Sequence, residues 1–350
     1  MKILEFFLGC NTSNGFVGFQ EELQQPKLNW RSYLIKGGSG TGKSTFIKST
    51  LKGVNSEGLT EVLHCSSDVN SLDGIILHNE KVSILDATPP HAIEPKLIGC
   101  YQSYINLTQF FNEGLLSKRV NDIKQTQAEN LKYHQKCCKL LNGANVFLSE
   151  NQKIISEYVN LEKIEKTAEK IVKKEFRKKG ETIINKRFLT AVTNEGVITF
   201  TDTINQFKNI YLIKDDIGYV SKALLTYILL KLKGEEVYCC YNPITLALEH
   251  IFIPDLDLAF VTQNKFTDLS KVSPVTVINY TRFLLDKTIP KQLIYFYQKV
   301  AKGMVDEACQ SLKTAKSIHD KLESFYIDAV DFKGVSALNK EIIKKINICK

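Results

Sequence analysis

The tetrapeptide Tyr33-Leu34-Ile35-Lys36 returns unchanged as Tyr211-Leu212-Ile213-Lys214, 178 positions later. Upstream, Phe7-Leu8 followed by Thr12, Gly15 and Phe19 is echoed by Phe188-Leu189 followed by Thr193, Gly196 and Phe200, at a separation of 181. Downstream, Asp73-Gly74-Ile75-Ile76-Leu77 lines up with Glu249-His250-Ile251-Phe252-Ile253, at 176. One match could be chance. Three in the same order, with offsets drifting as loop changes would make them drift, are a tandem duplication. The 350-residue chain must therefore fold as two copies of one domain-sized unit.

Each copy reads the same way. A β-branched and aromatic run (32–35; 210–213) predicts a strand, followed by a helix (44–52; 222–232), a second strand (61–65; 236–240) and a third (82–85; 258–261). Strands alternating with helices imply a parallel sheet covered on both faces. The stretch from Pro95 to Pro243 contains no further proline and permits long helices. Within it Ile154, Tyr158, Leu161, Ile164, Ala168 and Ile171 recur at three- and four-residue steps, the stripe of one amphipathic helix, with Gly180 as a stop. The expected fold class is α/β: two tandem P-loop NTPase-type parallel-sheet units, each followed by long helices. The expected domains are 1–110, a basic helical segment at 111–186, a second sheet unit at 187–290 and a C-terminal helical segment at 291–350.

Gly37-Gly38-Ser39-Gly40-Thr41-Gly42-Lys43-Ser44 fits G-x-x-x-x-G-K-[ST] and lies between an apolar strand and a helix-forming run, where such a motif must lie. Glycines let the backbone approach phosphate oxygens that a Cβ would obstruct, and the N–H groups at a helix start then face the anion. Lys43 is expected to bridge the β- and γ-phosphates, Ser44 to offer its hydroxyl to Mg²⁺, and Thr45 to reach the α-phosphate. The strand Val82-Ser83-Ile84-Leu85 ends in Asp86, which is expected to complete the magnesium site. No acidic residue follows, since position 87 is alanine. The candidates for a catalytic base are Asp68 and Asp73 past the second strand; His91, after Thr88-Pro89-Pro90, is the candidate to sense the γ-phosphate or meet a substrate. His64 and Cys65 are neighbours on a strand and point to opposite faces, so packing is favoured over a metal there.

At the corresponding position the second copy reads Asp215-Asp216-Ile217-Gly218-Tyr219-Val220-Ser221-Lys222. Two carboxylates stand where phosphates would be held, the Gly-Lys-Ser ending is gone with Lys222 displaced by one, and Thr262 replaces Asp86. This copy is expected to keep the fold without the site. ATP is expected over GTP, because the nearest string to a guanine-reading Asn-Lys-x-Asp is Asn264-Lys265-Phe266-Thr267-Asp268, one residue too long and in the wrong unit.

Charge and composition set the class. Apolar residues make up 43% and charged residues 24%, the balance of a soluble globular chain, and no apolar run approaches the ~20 residues of a membrane span. The start, residues 1–10, is too short in its apolar part and carries Glu5, so it reads as a strand, not a signal. Nine cysteines without a CxxC spacing suggest free thiols in the cytoplasm. Of the net charge of +8, +7 falls in residues 111–187, which hold 17 basic and 10 acidic side chains. A solvated helix exterior accounts for this; a nucleic-acid surface is the alternative, and a protein partner could use the same helices.

Taken together, the Phe7-Leu8, Thr12 and Gly15-Phe16 start, Gly37 to Thr45, His64-Cys65-Ser66-Ser67-Asp68, Ser71-Leu72-Asp73-Gly74, the strand to Asp86, Pro90-His91 with Pro95, and Glu249-His250 with Ile253-Pro254 resemble an uncharacterised bacterial family of tandem P-loop ATPase-like proteins. The resemblance covers essentially the whole chain. It implies a fold and a nucleotide ligand without a reaction; both loops tend to be intact in that family, so the second loop here departs from its pattern. The leading expectation is an Mg-dependent ATPase that couples hydrolysis to conformational change. A kinase for a small acceptor and a non-hydrolysing nucleotide sensor are the alternatives.

Overall fold

The computed structural model describes residues 2–24, 29–89, 92–285 and 288–348. The first unit comprises β1 (Lys2–Phe7), the hairpin β2 (Gly9–Thr12) and β3 (Gly15–Gly18), β4 (Arg31–Lys36), α1 (Lys43–Gly53), β5 (Leu59–His64), β6 (Leu72–Leu77), β7 (Val82–Asp86) and β8 (Gln102–Asn106). Helices α2 (Glu113–Lys118), α3 (Val120–Ser156) and α4 (Leu161–Glu175) follow. The second unit repeats the series as β9 (Ile183–Arg187), the hairpin β10 (Thr190–Thr193) and β11 (Gly196–Thr199), α5 (Thr201–Asn205), β12 (Asn209–Lys214), α6 (Tyr219–Lys231), β13 (Glu236–Tyr241), β14 (Leu248–Ile253), β15 (Leu258–Gln263) and β16 (Thr276–Asn279), then α7 (Lys291–Ile327) and α8 (Phe332–Ile348).

Both sheets have six strands in the same order, β1-β5-β6-β7-β4-β8 and β9-β13-β14-β15-β12-β16. They are mixed, which corrects the expected parallel sheets: β6 and β14 run antiparallel to both neighbours. The reason lies in the connections. Only 65–71 separate β5 from β6 and 78–81 separate β6 from β7, and a parallel crossover needs a dozen residues or more.

Strand alternation divides each sheet into two faces. Leu4, Phe6, Leu34, Leu63 and Leu85 of the first sheet share one apolar cluster with Tyr238, Phe252, Ala259 and Val261 of the second, so the sheets pack through these faces. The opposite face of the first sheet, with Ile35, Val62, Ile75 and Ile84, is covered by Phe46 and Ile47 of α1 and by Val335, Ile342 and Ile346 of α8. The opposite face of the second is covered by α6 and by Ile164, Ala168 and Ile171 of α4.

The helical arms are therefore exchanged. The arm that follows the first unit lays α4 on α6 of the second, and the arm that follows the second lays α8 on α1 of the first. Helices α3 and α7, 37 residues each and so about 55 Å long, pack along one another between these ends. The helical stripe expected to run through 154–171 is interrupted. Asn160 Oδ1 accepts the Lys163 N–H at 2.9 Å and caps α4, while Asn160 N–H bonds the Phe283 carbonyl at 2.8 Å. Among the described residues no helix is long and apolar enough to cross a membrane, and all eight cysteines are free. On α4, Lys166 pairs with Glu162 at the surface, and beyond its end Lys178 reaches the buried Glu235 at 2.9 Å.

A local twofold axis relates the halves. Phe7 N–H bonds the Phe188 carbonyl at 2.8 Å and Phe188 N–H returns the bond to Phe7 at 2.9 Å. These two residues are each other's repeat equivalents, and a residue pairing with its own copy is what a twofold requires. The polar heart of this interface is less symmetric. Arg187 Nε donates to Glu61 Oε2 at 2.8 Å, with each side chain 1% exposed; Tyr238 O–H donates to Glu61 Oε1 at 3.1 Å, and His78 Nε2 lies 2.9 Å from the same oxygen. The equivalent of Arg187 is Phe6, which stacks on Tyr238 with centroids 5.6 Å apart.

Burial would push the Glu61 carboxyl up, but the Arg187 charge and the His78 hydrogen bond and charge bring it down to about 2. A depressed carboxyl stabilises the fold above its unfolded value and ceases to do so as pH falls through its folded one. Acid titration from about pH 4.5 towards 2 should therefore remove this contribution. Arg187→Leu, which strands a buried carboxylate, is expected to cost about 3–5 kcal/mol in urea unfolding and to flatten that part of the pH profile. A loss under about 1 kcal/mol would show that the pair does not hold the halves together.

Candidate functional site

Strand β4 is flanked by β7 and β8, both parallel to it, so the carboxyl ends of all three open on one side. In open α/β sheets that is where ligands bind. The chain leaves β4 at Lys36, turns through 37–42 and enters α1 at Lys43. Gly40 and Gly42 take φ of 67° and 81°, left-handed values that favour glycine, and Gly42 is the residue from which the helix starts. Thr41 Oγ1 donates to the Gly38 carbonyl at 2.9 Å and closes the turn.

Several sequence candidates meet here. Lys43 Nζ bonds the Gly38 carbonyl at 2.8 Å and stands 3.7 Å from Asp86 Oδ2. Asp86 is the last residue of β7, in register with Ile35, and its Oδ1 accepts the Thr88 N–H at 2.9 Å. Ser44 Oγ accepts the Leu72 N–H at 2.9 Å, which ties the first turn of α1 to the start of β6, where Asp73 is buried. Thr45 is exposed.

Other candidates are engaged elsewhere. Asp68 Oδ2 accepts from Ser71 Oγ at 3.0 Å and lies 3.5 Å from Lys316 Nζ. His64 binds the Val69 carbonyl at 2.8 Å through Nδ1 and lies 3.0 Å from Glu5 through Nε2, a structural role. His91 falls outside the described residues. Among the described residues no group of three or more His, Cys, Asp or Glu side chains is placed to hold a metal ion.

The sequence gives no hint of what covers the loop. Helix α7 arrives from the far half and puts Glu323 Oε1 3.3 Å from the Gly40 N–H. A Cβ on Gly40 would stand 2.8 Å from the Glu323 carbonyl oxygen, and one on Gly38 would stand 3.2 Å from the Tyr326 ring. Lys316, His319, Glu323 and Tyr326 follow helical spacing along one face, and His319 Nε2 is 3.5 Å from Glu323. Periodicity marks that face but cannot say which surface it meets.

Comparison with protein-family models, with curated proteins and with solved structures finds no match to this chain. The internal copy is thus the informative comparison. Between β12 and α6 the second loop has four residues, 215–218, where the first has six, 37–42. The repeat offset accordingly drops from 178 in the strands to 176 in the helices. Gly218, with φ 79°, takes the place of Gly42, so Tyr219 stands for Lys43 and Val220 for Ser44. Lys222 is not a displaced phosphate lysine; it is exposed further along the helix.

The two aspartates also differ from expectation. Only Asp215 lies in the nest, and it does not oppose the backbone: it fills it. Its carboxylate, 1% exposed, accepts the Ile217 N–H at 3.1 Å and the Ser221 N–H at 2.8 Å. Burial raises its pKa, and hydrogen bonds from Ser221, Ile217 and Gly218 oppose the rise. Asp216 points away, 3.6 Å from Lys265. Among the described residues, two cavities border this loop. The one beside Gln152, Asn242, Glu249 and Thr262 has a volume of about 40 Å³ and suits a water molecule or two. The other, of about 940 Å³, lies between Asp216, Ile217, Lys265 and the start of α7.

Asp215→Ala would leave two buried N–H groups at a helix start without an acceptor. A loss of about 1–3 kcal/mol in denaturant midpoint is expected, without any gain of nucleotide binding, because Tyr219 occupies the lysine position. Unchanged stability would mean that the carboxylate is not held by these groups in solution.

Proposed function

We propose that the first unit binds Mg-ATP at 37–45 and that the protein is an Mg-dependent ATPase which couples hydrolysis to movement of its helical arms. The observation that carries this reading is the Lys43 ammonium 3.7 Å from the Asp86 carboxylate, at the carboxyl ends of adjacent parallel strands and at the start of a helix. Backbone N–H groups of Gly37, Gly38, Ser39, Gly40, Thr41 and Gly42 would line the phosphate path, and Lys43 would leave Asp86 to bridge the terminal phosphates. Ser44 and Asp86 offer a hydroxyl and a carboxylate, hard oxygen donors that suit Mg²⁺ when phosphate oxygens and water complete its shell. Bound magnesium would neutralise charge developing on the phosphates. Thr45 would flank the α-phosphate. Asp68 is the residue proposed to orient a water, and His91 the one proposed to sense the γ-phosphate or meet a substrate.

The internal comparison supports one nucleotide per chain, because the second loop is shorter, lacks the lysine and holds its own carboxylate. The arms would carry the movement to a protein partner, and the free thiols accord with a cytoplasmic setting.

Calorimetry with Mg-ATP should give a stoichiometry near one. Lys43→Ala should abolish binding, and it should also cost about 1–3 kcal/mol of stability, because the nearly buried Asp86 carboxylate loses its cation. A stoichiometry of two, or full affinity in the variant, refutes the assignment. Phosphate release from Mg-ATP alone distinguishes an ATPase; release only with an added acceptor favours a kinase, and binding without turnover a sensor.

A further inference from the structure

The phosphate loop of the first unit already has an anion on it. Glu323, from the arm that belongs to the second unit, accepts from the Gly40 N–H at 3.3 Å, 283 residues away in sequence. The His319 side chain beside it, and then the Gly40 N–H and Lys316, hold the Glu323 carboxyl below its ordinary range, so it is charged at neutral pH. The helix backbone is equally close, as the 2.8 Å approach of the Glu323 carbonyl to a Cβ at Gly40 shows.

The repeat explains what this contact replaces. Helices α3 and α7 begin and end 171 residues apart, which makes Gln152 the counterpart of Glu323. Gln152 also meets its loop across the twofold, but as a donor, with Nε2 3.4 Å from the Ile217 carbonyl. In that unit Asp215 supplies the carboxylate from within the loop. Each nest thus carries one carboxylate: built in where the lysine is lost, and brought by the arm where the lysine is kept. The arm is held in place by the unit it covers. Asn339 Nδ2 of α8 donates to the Phe46 carbonyl at 3.0 Å and to Thr50 Oγ1 at 2.8 Å on α1, and Asp331 N–H bonds the Phe110 carbonyl at 2.9 Å.

We propose that Glu323 is a tethered competitor of the nucleotide phosphates, and that Mg-ATP binding requires the last turns of α7 to leave the loop. This rests on the nucleotide reading above. The Gly40 N–H cannot serve both acceptors, and a carboxylate and a triphosphate repel each other in the same nest. The loop is thereby coupled to an arm that belongs to the other half. A ligand shifts such an equilibrium only through its preference for the open state, so the closed contact lowers apparent affinity by the fraction of molecules that are open.

The test uses the full chain, Glu323→Gln to remove the charge and Glu323→Ala to remove the acceptor. Calorimetric affinity for Mg-ATP should rise about tenfold in both variants over the unaltered protein. Hydrogen exchange across 316–327 should increase when the unaltered protein is saturated with Mg-ATP, and across 37–44 and 316–327 in the unliganded variants. Binding with equal affinity in all three proteins overturns the tether but leaves the nucleotide site standing. If none of the three binds Mg-ATP the nucleotide reading falls, and with it competition by Glu323. Protection of 316–327 that persists at saturation shows that α7 stays on the loop and also overturns the proposal.

Discussion

Neither half of this chain covers its own sheet alone. The outer face of the first sheet needs α8, which follows the second sheet, and the outer face of the second needs α4, which follows the first. Everything else is arranged around that exchange. The long α3 and α7 have to run past each other, the inner faces of the sheets have to meet, and one backbone pairing, Phe7 with Phe188, marks the axis about which the exchange happens. The result resembles a symmetric dimer with swapped elements, tied into one chain.

Against that near symmetry the differences between the halves gain meaning. At the interface an Arg187–Glu61 pair on one side of the axis answers a Phe6–Tyr238 stack on the other, two solutions to filling the same space. At the loops the difference is two residues of length. Shortening removes the lysine and serine from the start of the helix, and Asp215 then takes the hydrogen bonds that an anion would have taken. The strands around both loops keep the same order and pairing, so at this end of the sheet the halves differ in loop length and in the residues that open the helix.

Much of this was legible in the sequence, and what was not has physical causes. The duplication, the strand–loop–helix setting of Gly37 to Ser44 and the convergence of Lys43 and Asp86 on one site follow from local pattern, which sequence displays directly. The antiparallel β6 aligns with β14 in the repeat yet lies outside the expected strands, although the seven residues before it leave room only for a hairpin. The apolar stripe through 154–171 looks continuous in sequence because residues 157–160 keep the spacing, while the break depends on Asn160 reaching the far unit at Phe283. The two missing loop residues were hidden because Asp215 and Gly218 align acceptably in either register. The cover from α7 could not be read at all, since a polar helical face does not name its neighbour. Only the offset of 171 between the arms, applied to Gln152 and Glu323, would have pointed to it.

The exchange also has a consequence for how the protein is made. While the ribosome is still producing the second unit, α4 exists with its apolar stripe of Ile164, Ala168 and Ile171 and nowhere to put it until α6 has emerged. The first sheet waits longer, because Val335, Ile342 and Ile346 of α8 come after everything else it packs against. Contacts this distant in sequence make for slow, late consolidation and for half-built species with sticky surfaces. Throughout that interval the glycine loop lies uncovered, open to any anion in the cell, so the nascent chain passes through a state that the finished molecule closes.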